Sequence, residues 1–160
     1  MKAIIPVAGA GTKLRPHTYT QPKALIPLAG KTILSIIVDQ LREAGITEFI
    51  FIIGYLGDKI RDYVNDKYPT LNAHFINQNE PQGIGHAILL TRNIVDGDDV
   101  FIVLGDTICE YDVEEVLARP TSALGIKRVD DPRDSGVAEI GEDGFISRVV
   151  EKPQIPKSNM

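Results

Sequence analysis

The sequence predicts an α/β fold, with a mainly parallel sheet flanked by helices. Short runs rich in apolar and β-branched residues, such as 3–8 and 48–53, are typical of buried strands. They alternate with segments such as 32–44, in which apolar residues recur at helical spacing. A strand–helix–strand rhythm of this kind is typical of parallel sheets that carry helices on their faces.

The first half of the chain is predicted to hold three strands and two helices. The helix at 32–44 stops before Gly45, and a second, amphipathic helix at 58–68 stops before Pro69, because glycine and proline commonly end helices. The apolar runs at residues 3–8 and 48–53 are predicted to be buried strands, and residues 72–77 a third strand.

The second half continues the same rhythm and then changes it. Apolar periodicity predicts helices at 85–95 and 113–119 and strands at 100–104 and 123–129. Beyond residue 130, two strand-like runs, 137–140 and 145–150, flank the turn sequence 141–144, which predicts a β-hairpin near the C-terminus. We therefore expect a Rossmann-like sheet followed by a hairpin.

Size and composition place the chain among ordinary globular proteins. Its 160 residues are long enough for one domain with a sizeable core, and we expect a single domain over residues 1–160. A net charge of −5 argues against a nucleic-acid partner. The single cysteine, Cys109, cannot form an internal disulfide, so a cytoplasmic location is expected. No apolar run reaches the length of a membrane span, so no membrane partner is expected.

A glycine loop after the first strand is the strongest functional signal. Gly9 and Gly11 let the backbone approach a ligand closely, and Lys13, Arg15 and Lys23 follow within a short stretch. Glycines edged with cations are suited to phosphate. The alternative is a plain turn with solvated lysines, which the glycines alone would favour; the clustered cations favour phosphate binding.

The loop fits neither of the two common phosphate-binding templates. A Walker A loop needs Gly-Lys-Ser/Thr, whereas Lys13 follows Thr12 and precedes Leu14. A dinucleotide-binding loop needs a third glycine where Leu14 stands. Kinase-type and NAD-type loops are therefore excluded.

Two further polar residues follow predicted strands. Gln78 follows the third strand and Asp106 the fourth, so both should share the carboxyl edge of the sheet with the glycine loop. Asp106 could hold Mg²⁺, but a lone aspartate is more often a turn residue or helix cap. Gln78 suits a uracil or thymine edge, although an ordinary polar loop explains it equally well.

The quoted residues also resemble a known family. The matching segments are Gly9-Ala10-Gly11-Thr12-Lys13-Leu14-Arg15-Pro16, then Pro22-Lys23, Leu104-Gly105-Asp106 and Glu151-Lys152-Pro153. Together they resemble the signature of the sugar-phosphate nucleotidyltransferases (NDP-sugar pyrophosphorylases), most closely the glucose-1-phosphate thymidylyltransferase and uridylyltransferase branch. One departure is that the family usually has arginine at the position of Lys13.

The resemblance implies roles for individual residues. It implies Mg²⁺ as the cofactor, with Asp106 as one of two metal-binding aspartates, and Lys13, Lys23 and Asp106 as the catalytic residues. It implies sugar-phosphate contacts from Gly136, Glu151 and Lys152. The residues implied to bind the nucleotide are Ala8, Gly9, Gly11, Thr12, Lys13, Gln78 and Gly83. No role is assigned to His17, His74 or Cys109, and His86 is interpreted as a helix-surface or packing histidine.

The implied reaction is transfer of a nucleotidyl group from dTTP or UTP to a sugar 1-phosphate, glucose 1-phosphate being the first choice, with release of pyrophosphate. The implied fold is the nucleotide-diphospho-sugar transferase fold, of which this sequence matches only the N-terminal part. We therefore expect weak nucleotide binding with little turnover from residues 1–160, and a homo-oligomer formed through an uncovered edge or apolar face. The alternative is a nucleotide-binding or regulatory domain without turnover.

Overall fold

The computed structural model describes residues 1–80, 82–110, 112–156 and 158–160. The chain divides into two compact units, Met1–Glu114 and Glu115–Met160. The strands are β1 Lys2–Pro6, β2 Pro27–Leu28, β3 Lys31–Thr32, β4 Glu48–Ile53, β5 Asn72–Asn77, β6 Val100–Ile102, β7 Gly136–Ile140 and β8 Ile146–Glu151. The helices are α1 Ile33–Glu43, α2 Gly57–Lys67, α3 Ile84–Leu89, α4 Arg92–Val95 and α5 Val113–Leu117.

The first unit is built on a four-stranded, wholly parallel sheet. Its strand order is β5-β4-β1-β6, so the order reverses at β1. The hydrogen bonding between β6 and β1 continues past the strand itself, because the Val103 amide donates to the Ile4 carbonyl at 3.1 Å and the Gly105 amide to the Pro6 carbonyl at 3.1 Å. This brings Asp106 beside the end of β1.

Alternate residues of the central strands fill two separate cores. Phe49, Phe51 and Ile53 of β4 belong to the core that includes the apolar faces of α1 and α2. Ile50 and Ile52 of the same strand belong to the core that includes residues of α3 and α4. A strand buried on both faces reads as a continuous apolar run, which is why the sequence of β4 shows no polar alternation. Each such side chain contributes about 1.5–3 kcal/mol on burial.

Helix α1 has well-defined ends. The Thr32 hydroxyl oxygen accepts a hydrogen bond from the Ser35 amide at 3.0 Å, which caps the N-terminus. The same hydroxyl donates to the Tyr63 hydroxyl of α2 at 2.8 Å, so the cap also joins the two helices. At the other end Gly45 adopts a φ of +85°, a conformation that glycine takes without strain.

The second unit contains an antiparallel hairpin of β7 and β8. Gly136 pairs with Glu151, and a β-bulge interrupts the register between Glu139 and Ile140. Val137 and Ala138 are buried, and the Ala138 amide donates to the Met160 carbonyl at 2.9 Å.

The structure confirms the predicted fold class and most of its elements. The helix predicted at 85–95 is in fact two helices, α3 and α4, because the Thr91 amide, at 3.0 Å, and hydroxyl, at 2.7 Å, both donate to the Ile88 carbonyl three residues back, which interrupts the four-residue hydrogen-bond pattern of an α-helix. The strand predicted at 123–129 was wrong: the segment is irregular, with Leu124 and Ile126 exposed, and the Val129 amide donates to Asn159 instead of to a strand.

The sequence analysis also missed a small hairpin. Strands β2 and β3 are joined by Ala29 and Gly30, which have φ values of +49° and +83°, as a tight two-residue turn requires. Within the described part of the chain, no helix has the length and apolar character that a membrane crossing requires.

Candidate functional site

A cavity of about 280 Å³ lies at the carboxyl ends of β1 and β6. These are the neighbouring strands at which the strand order reverses, and such switch points are where open α/β sheets bind ligands. The cavity brings together the glycine loop, the cation of Lys23 and the carboxylate of Asp106. It is lined by Pro6, Val7, Gly9, Gly11, Thr12, Lys13, Leu14, Lys23, Ala24, Gly105 and Asp106.

The glycine loop is held in place by Thr18. Its hydroxyl, on a side chain that is 1% exposed, donates to the Gly11 carbonyl at 2.8 Å. Gly11 has a φ of +58°, and a Cβ there would lie 2.9 Å from Thr18 Cγ2 and 3.2 Å from Lys23 Cβ. The loop therefore packs so closely on Thr18 and Lys23 that only glycine fits at position 11 without displacing them.

Lys23 and Asp106 form an ion pair inside the cavity. Lys23 Nζ lies 2.6 Å from Asp106 Oδ2, although the two residues are 83 positions apart. Partial burial acts to raise the pKa of Asp106, but the hydrogen bonds from Lys23 and Thr107, together with the Lys23 charge, bring that pKa below its ordinary value of 3.8. The carboxylate is therefore ionised at neutral pH.

The remaining two cations of the loop differ in their surroundings. Lys13 is exposed, lines the cavity and has no ion-pair partner among the residues that the structure describes. The Arg15 guanidinium instead lies over the Tyr19 ring, 5.1 Å from its centroid. Lys13 is therefore the cation of the loop that is available to an incoming anion.

Gln78 and Gly83 lie outside the lining of this cavity, as does Ala8. Gln78 follows β5, two strand spacings or about 10 Å from β1. Its side-chain Nε2 donates to the Gly83 carbonyl at 3.2 Å and contacts His86 Nδ1 at 3.3 Å. The structure thus brings Gln78 and Gly83 together and adds His86, which the sequence analysis treated as a packing residue. The Ala8 carbonyl accepts from the Tyr55 amide at 3.3 Å.

Gly136, Glu151 and Lys152 lie together on the hairpin of the second unit. Gly136 is paired with Glu151 across the hairpin, and a Cβ at Gly136 would lie 3.3 Å from Glu151 Oε2. Lys152 has a φ of +44°, and its Nζ lies 3.5 Å from Glu151 Oε1. Both side chains are more than half exposed and so are accessible to a ligand.

Asp106 can serve as one ligand of a Mg²⁺ ion whose other ligands are substrate phosphates and waters. No group of three or more His, Cys, Asp and Glu side chains that could hold a metal occurs in the described ranges. Asp106 alone offers one ionised carboxylate. Mg²⁺ fits such a site, because proteins usually bind it through one or two carboxylates while substrate phosphates and waters supply the remaining oxygens.

Sequence reasoning missed two supporting residues. Thr18 was given no role, because nothing in the sequence His17-Thr18-Tyr19 indicates that this threonine is buried against Gly11. Thr107, whose hydroxyl donates to Asp106 Oδ1 at 3.0 Å, directly follows Asp106 in the sequence, and this adjacency is the signal that could have identified it.

Comparisons with known proteins agree on one family. A family model described as nucleotidyl transferase matches residues 2–160. A glucose-1-phosphate thymidylyltransferase from Streptomyces griseus is 36% identical over 100% of this chain and 47% of its own length. The bifunctional protein GlmU from Methanococcus vannielii is 40% identical over 96% of this chain and 36% of its own length. The chain therefore spans less than half the length of these two curated relatives.

Solved structures show the same fold. A crystal structure assigned as a glucose-1-phosphate thymidylyltransferase from Bacillus anthracis, in complex with sucrose, matches with a TM-score of 0.84 at 29% identity. The match covers 99% of this chain and 67% of that chain.

Proposed function

Since the chain belongs to the nucleotidyl transferase family, which confirms the resemblance of its motifs, we propose that it serves nucleotidyl transfer from a nucleoside triphosphate to a sugar 1-phosphate. The proposed substrates are dTTP or UTP and glucose 1-phosphate, and the proposed products are a nucleoside-diphosphate sugar and pyrophosphate. The observation that carries this proposal is the cavity that joins the glycine loop, Lys13, Lys23 and Asp106 at the switch point of the sheet.

The proposed reaction is a single in-line displacement. A phosphate oxygen of the sugar 1-phosphate attacks the α-phosphorus, the new P–O bond forms, and the bond to the β-phosphate oxygen breaks as pyrophosphate leaves with the bonding pair. No protein nucleophile takes part. Catalysis of such transfers is mostly a matter of positioning the groups and neutralising their charge.

The cations of the cavity have separate tasks in this scheme. Lys13, which is exposed and has no ion-pair partner in the described part of the chain, binds the departing pyrophosphate. Lys23 is anchored by Asp106 at 2.6 Å, so its ammonium group is held in one place near the α-phosphate before the substrate arrives. Asp106 would hold Mg²⁺, which supplies charge neutralisation at the phosphate oxygens when it is bound.

The remaining site residues would recognise the two ends of the product. Gln78 and Gly83 would contact the pyrimidine base, because a glutamine amide can pair with a base edge and Gly83 has no side chain to keep the base from its backbone. On the second unit, Glu151 would accept hydrogen bonds from sugar hydroxyls and Lys152 would bind the sugar phosphate, with Gly136 leaving room for the ring.

A second candidate is nucleotide binding without turnover. It is favoured by one observation: among the described residues, Asp106 is the one carboxylate that lines the cavity. Binding depends on the glycine loop and the lysines, whereas turnover requires the charge at the reacting phosphates to be neutralised. A chain with too few metal ligands would therefore bind the nucleotide and react slowly.

One set of assays separates these candidates. The chain is given glucose 1-phosphate, Mg²⁺ and one of dTTP, UTP, ATP or GTP, and pyrophosphate release and nucleotide affinity are both measured. Release with a pyrimidine nucleotide supports transfer, whereas Mg²⁺-dependent binding without release supports the second candidate. The same assays on Lys13→Ala test the part that the loop plays. Lys127→Ala is the matched control, because Lys127 is exposed and lies in the other unit. No nucleotide binding at all would contradict both candidates.

A further inference from the structure

The Gln78 side chain makes two polar contacts at the end of β5. Its Nε2 lies 3.2 Å from the Gly83 carbonyl oxygen and 3.3 Å from His86 Nδ1. The Gln78 amide nitrogen of the main chain donates to the Ile53 carbonyl at 2.8 Å, so the backbone from which the side chain extends is also fixed. The amide group therefore has two contacts that decide which way it faces.

The Gly83 contact identifies the nitrogen end of the amide. A carbonyl oxygen can only accept, so the Gln78 atom beside it must be the NH₂ group and not Oε1. This carbonyl is itself immobilised, because it also accepts from the Ala87 amide at 3.2 Å in the first turn of α3. Gly83 adopts a φ of +89° with a ψ of 175°, a region open almost only to glycine, and this conformation aims the carbonyl at Gln78.

The His86 contact then uses the second hydrogen of the same NH₂ group. For Gln78 to donate to it, His86 Nδ1 must carry a lone pair, so the proton of the neutral ring lies on Nε2. With both N–H bonds engaged, Gln78 offers a ligand only Oε1. The amide, which in general can donate as well as accept, is here reduced to an acceptor.

We propose that His86 is a positioning residue that fixes the orientation of the Gln78 amide, so that the site selects a base whose ring nitrogen carries a hydrogen. This inference rests on the proposed function, in which Gln78 contacts the base. Thymine and uracil have an N3–H that can donate to Oε1, whereas N3 of cytosine is an acceptor and would face another acceptor. Without His86, Gln78 keeps its contact with Gly83, but the second N–H of its amide has no acceptor and is free to donate to N3 of cytosine.

The first test reads the tautomer directly and needs no ligand. Long-range ¹H–¹⁵N spectra of the ¹⁵N-labelled chain are recorded at about pH 8, where an ordinary imidazole is neutral. The chain has three histidines, so the His86 signals are identified by their loss in His86→Phe. The expected result is an Nε2–H ring with an unprotonated Nδ1. An Nδ1–H ring would overturn the proposal.

The second test measures discrimination between dTTP and dCTP by calorimetry with Mg²⁺. The expected result is that the unmodified chain prefers dTTP, and that His86→Phe, which keeps a ring but removes the acceptor, lowers the ratio of the two affinities by about 5-fold or more. His86→Asn should retain the preference, because its Oδ1 can accept where Nδ1 did. Gln82→Ala is the control for general disturbance of the loop, since Gln82 contacts Glu80 and not Gln78.

The outcomes separate this inference from the proposed function. A ratio that is unchanged in His86→Phe, or lost equally in Gln82→Ala, would overturn the positioning role while leaving nucleotide binding intact. Equal binding of dTTP and dCTP by the unmodified chain would overturn the selection of a base with a ring N–H. If no nucleotide binds, the proposed function fails together with the selectivity, and an Nδ1–H ring at His86 would still overturn its positioning role. If His86→Phe does not fold, the loss of ring signals in His86→Asn identifies His86 in the spectra, and an Nδ1–H ring would overturn the positioning role.

Discussion

Lys23 Nζ and Asp106 Oδ2 lie 2.6 Å apart, and this ion pair joins a turn that follows the glycine loop to the end of β6. The pair combines a cation for the phosphates with an anion for a metal in one cavity. Both side chains are roughly one third to one half exposed, so the pair is open to a ligand and contributes modestly to stability.

Asp106→Asn should reveal this pair through the pH dependence of stability. Burial acts to raise the pKa of Asp106, but the hydrogen bonds and charge of its partners lower it below 3.8. A carboxyl with a lowered pKa in the folded chain stabilises it above the unfolded pKa, and this contribution is lost as the pH falls through the folded pKa. The unfolding free energies of Asp106→Asn and the unmodified chain should therefore differ at neutral pH, by about 1 kcal/mol or less, and converge below about pH 4. Denaturant titrations between neutral and acid pH measure this; a constant difference would contradict it.

Substitutions at position 13 should show how much of the nucleotide affinity comes from the positive charge of the side chain and how much from its hydrogen-bond geometry. Lys13→Arg should keep or raise nucleotide affinity, because a guanidinium can bind phosphate through two parallel hydrogen bonds. Lys13→Ala should weaken Mg²⁺–dTTP binding by about 10-fold, since a charge-assisted hydrogen bond contributes roughly 1.5–3 kcal/mol. Calorimetry on the two variants, with Lys127→Ala as the control, gives the answer. An alanine variant with unchanged affinity would remove Lys13 from the site.

Gly105→Ala should destabilise the chain and displace Asp106. A Cβ at Gly105 would overlap Val7 Cγ1 and lie 3.0 Å from the Pro6 carbonyl oxygen, so the ends of β1 and β6 would have to separate. The expected loss is about 1–3 kcal/mol of unfolding free energy. The matched control is Gly125→Ala, because a Cβ there meets nothing within 4 Å. Equal stability of the two variants would show that the strands are not packed this closely.

Thr18→Val tests the support of the glycine loop. The substitution keeps the shape of the side chain but removes the hydrogen bond from its hydroxyl to the Gly11 carbonyl, which is 2.8 Å long. We expect a loss of about 1 kcal/mol in stability and a weaker affinity for inorganic pyrophosphate. Thr20→Val, at an exposed threonine two positions away, should change neither quantity. If Thr18→Val leaves pyrophosphate affinity intact, the loop does not depend on this contact.

The sequence was sufficient where local pattern decides the structure. The strands at 48–53 and 72–77 have the predicted bounds; the first is an almost wholly apolar run, and the second follows Pro69, which ends the preceding helix. Hydrogen bonds that the pattern does not reveal decided the rest. The segment 123–129 is irregular and its Val129 amide donates to the Asn159 carbonyl, and the helix predicted at 85–95 is interrupted where Thr91 bonds back to Ile88.

Within the site, the same distinction holds. The glycine loop, Lys23 and Asp106 were identified as separate motifs, and the strand order explains why they meet at one cavity. The contact between His86 and Gln78 was not foreseeable, since a histidine in an apolar helix sequence resembles a packing residue until the turn at Gly83 brings its ring back to Gln78.

Phosphorus-31 NMR on a mixture of the chain, Mg²⁺, dTTP and glucose 1-phosphate tests the central claim most directly. The cavity at the ends of β1 and β6 is proposed to join the two substrates by displacing pyrophosphate. The account predicts that pyrophosphate and a nucleoside-diphosphate sugar appear in equal amounts, and that both are strongly reduced in Lys23→Ala. Pyrophosphate or phosphate without the sugar product, or the same yield from Lys23→Ala, would contradict it.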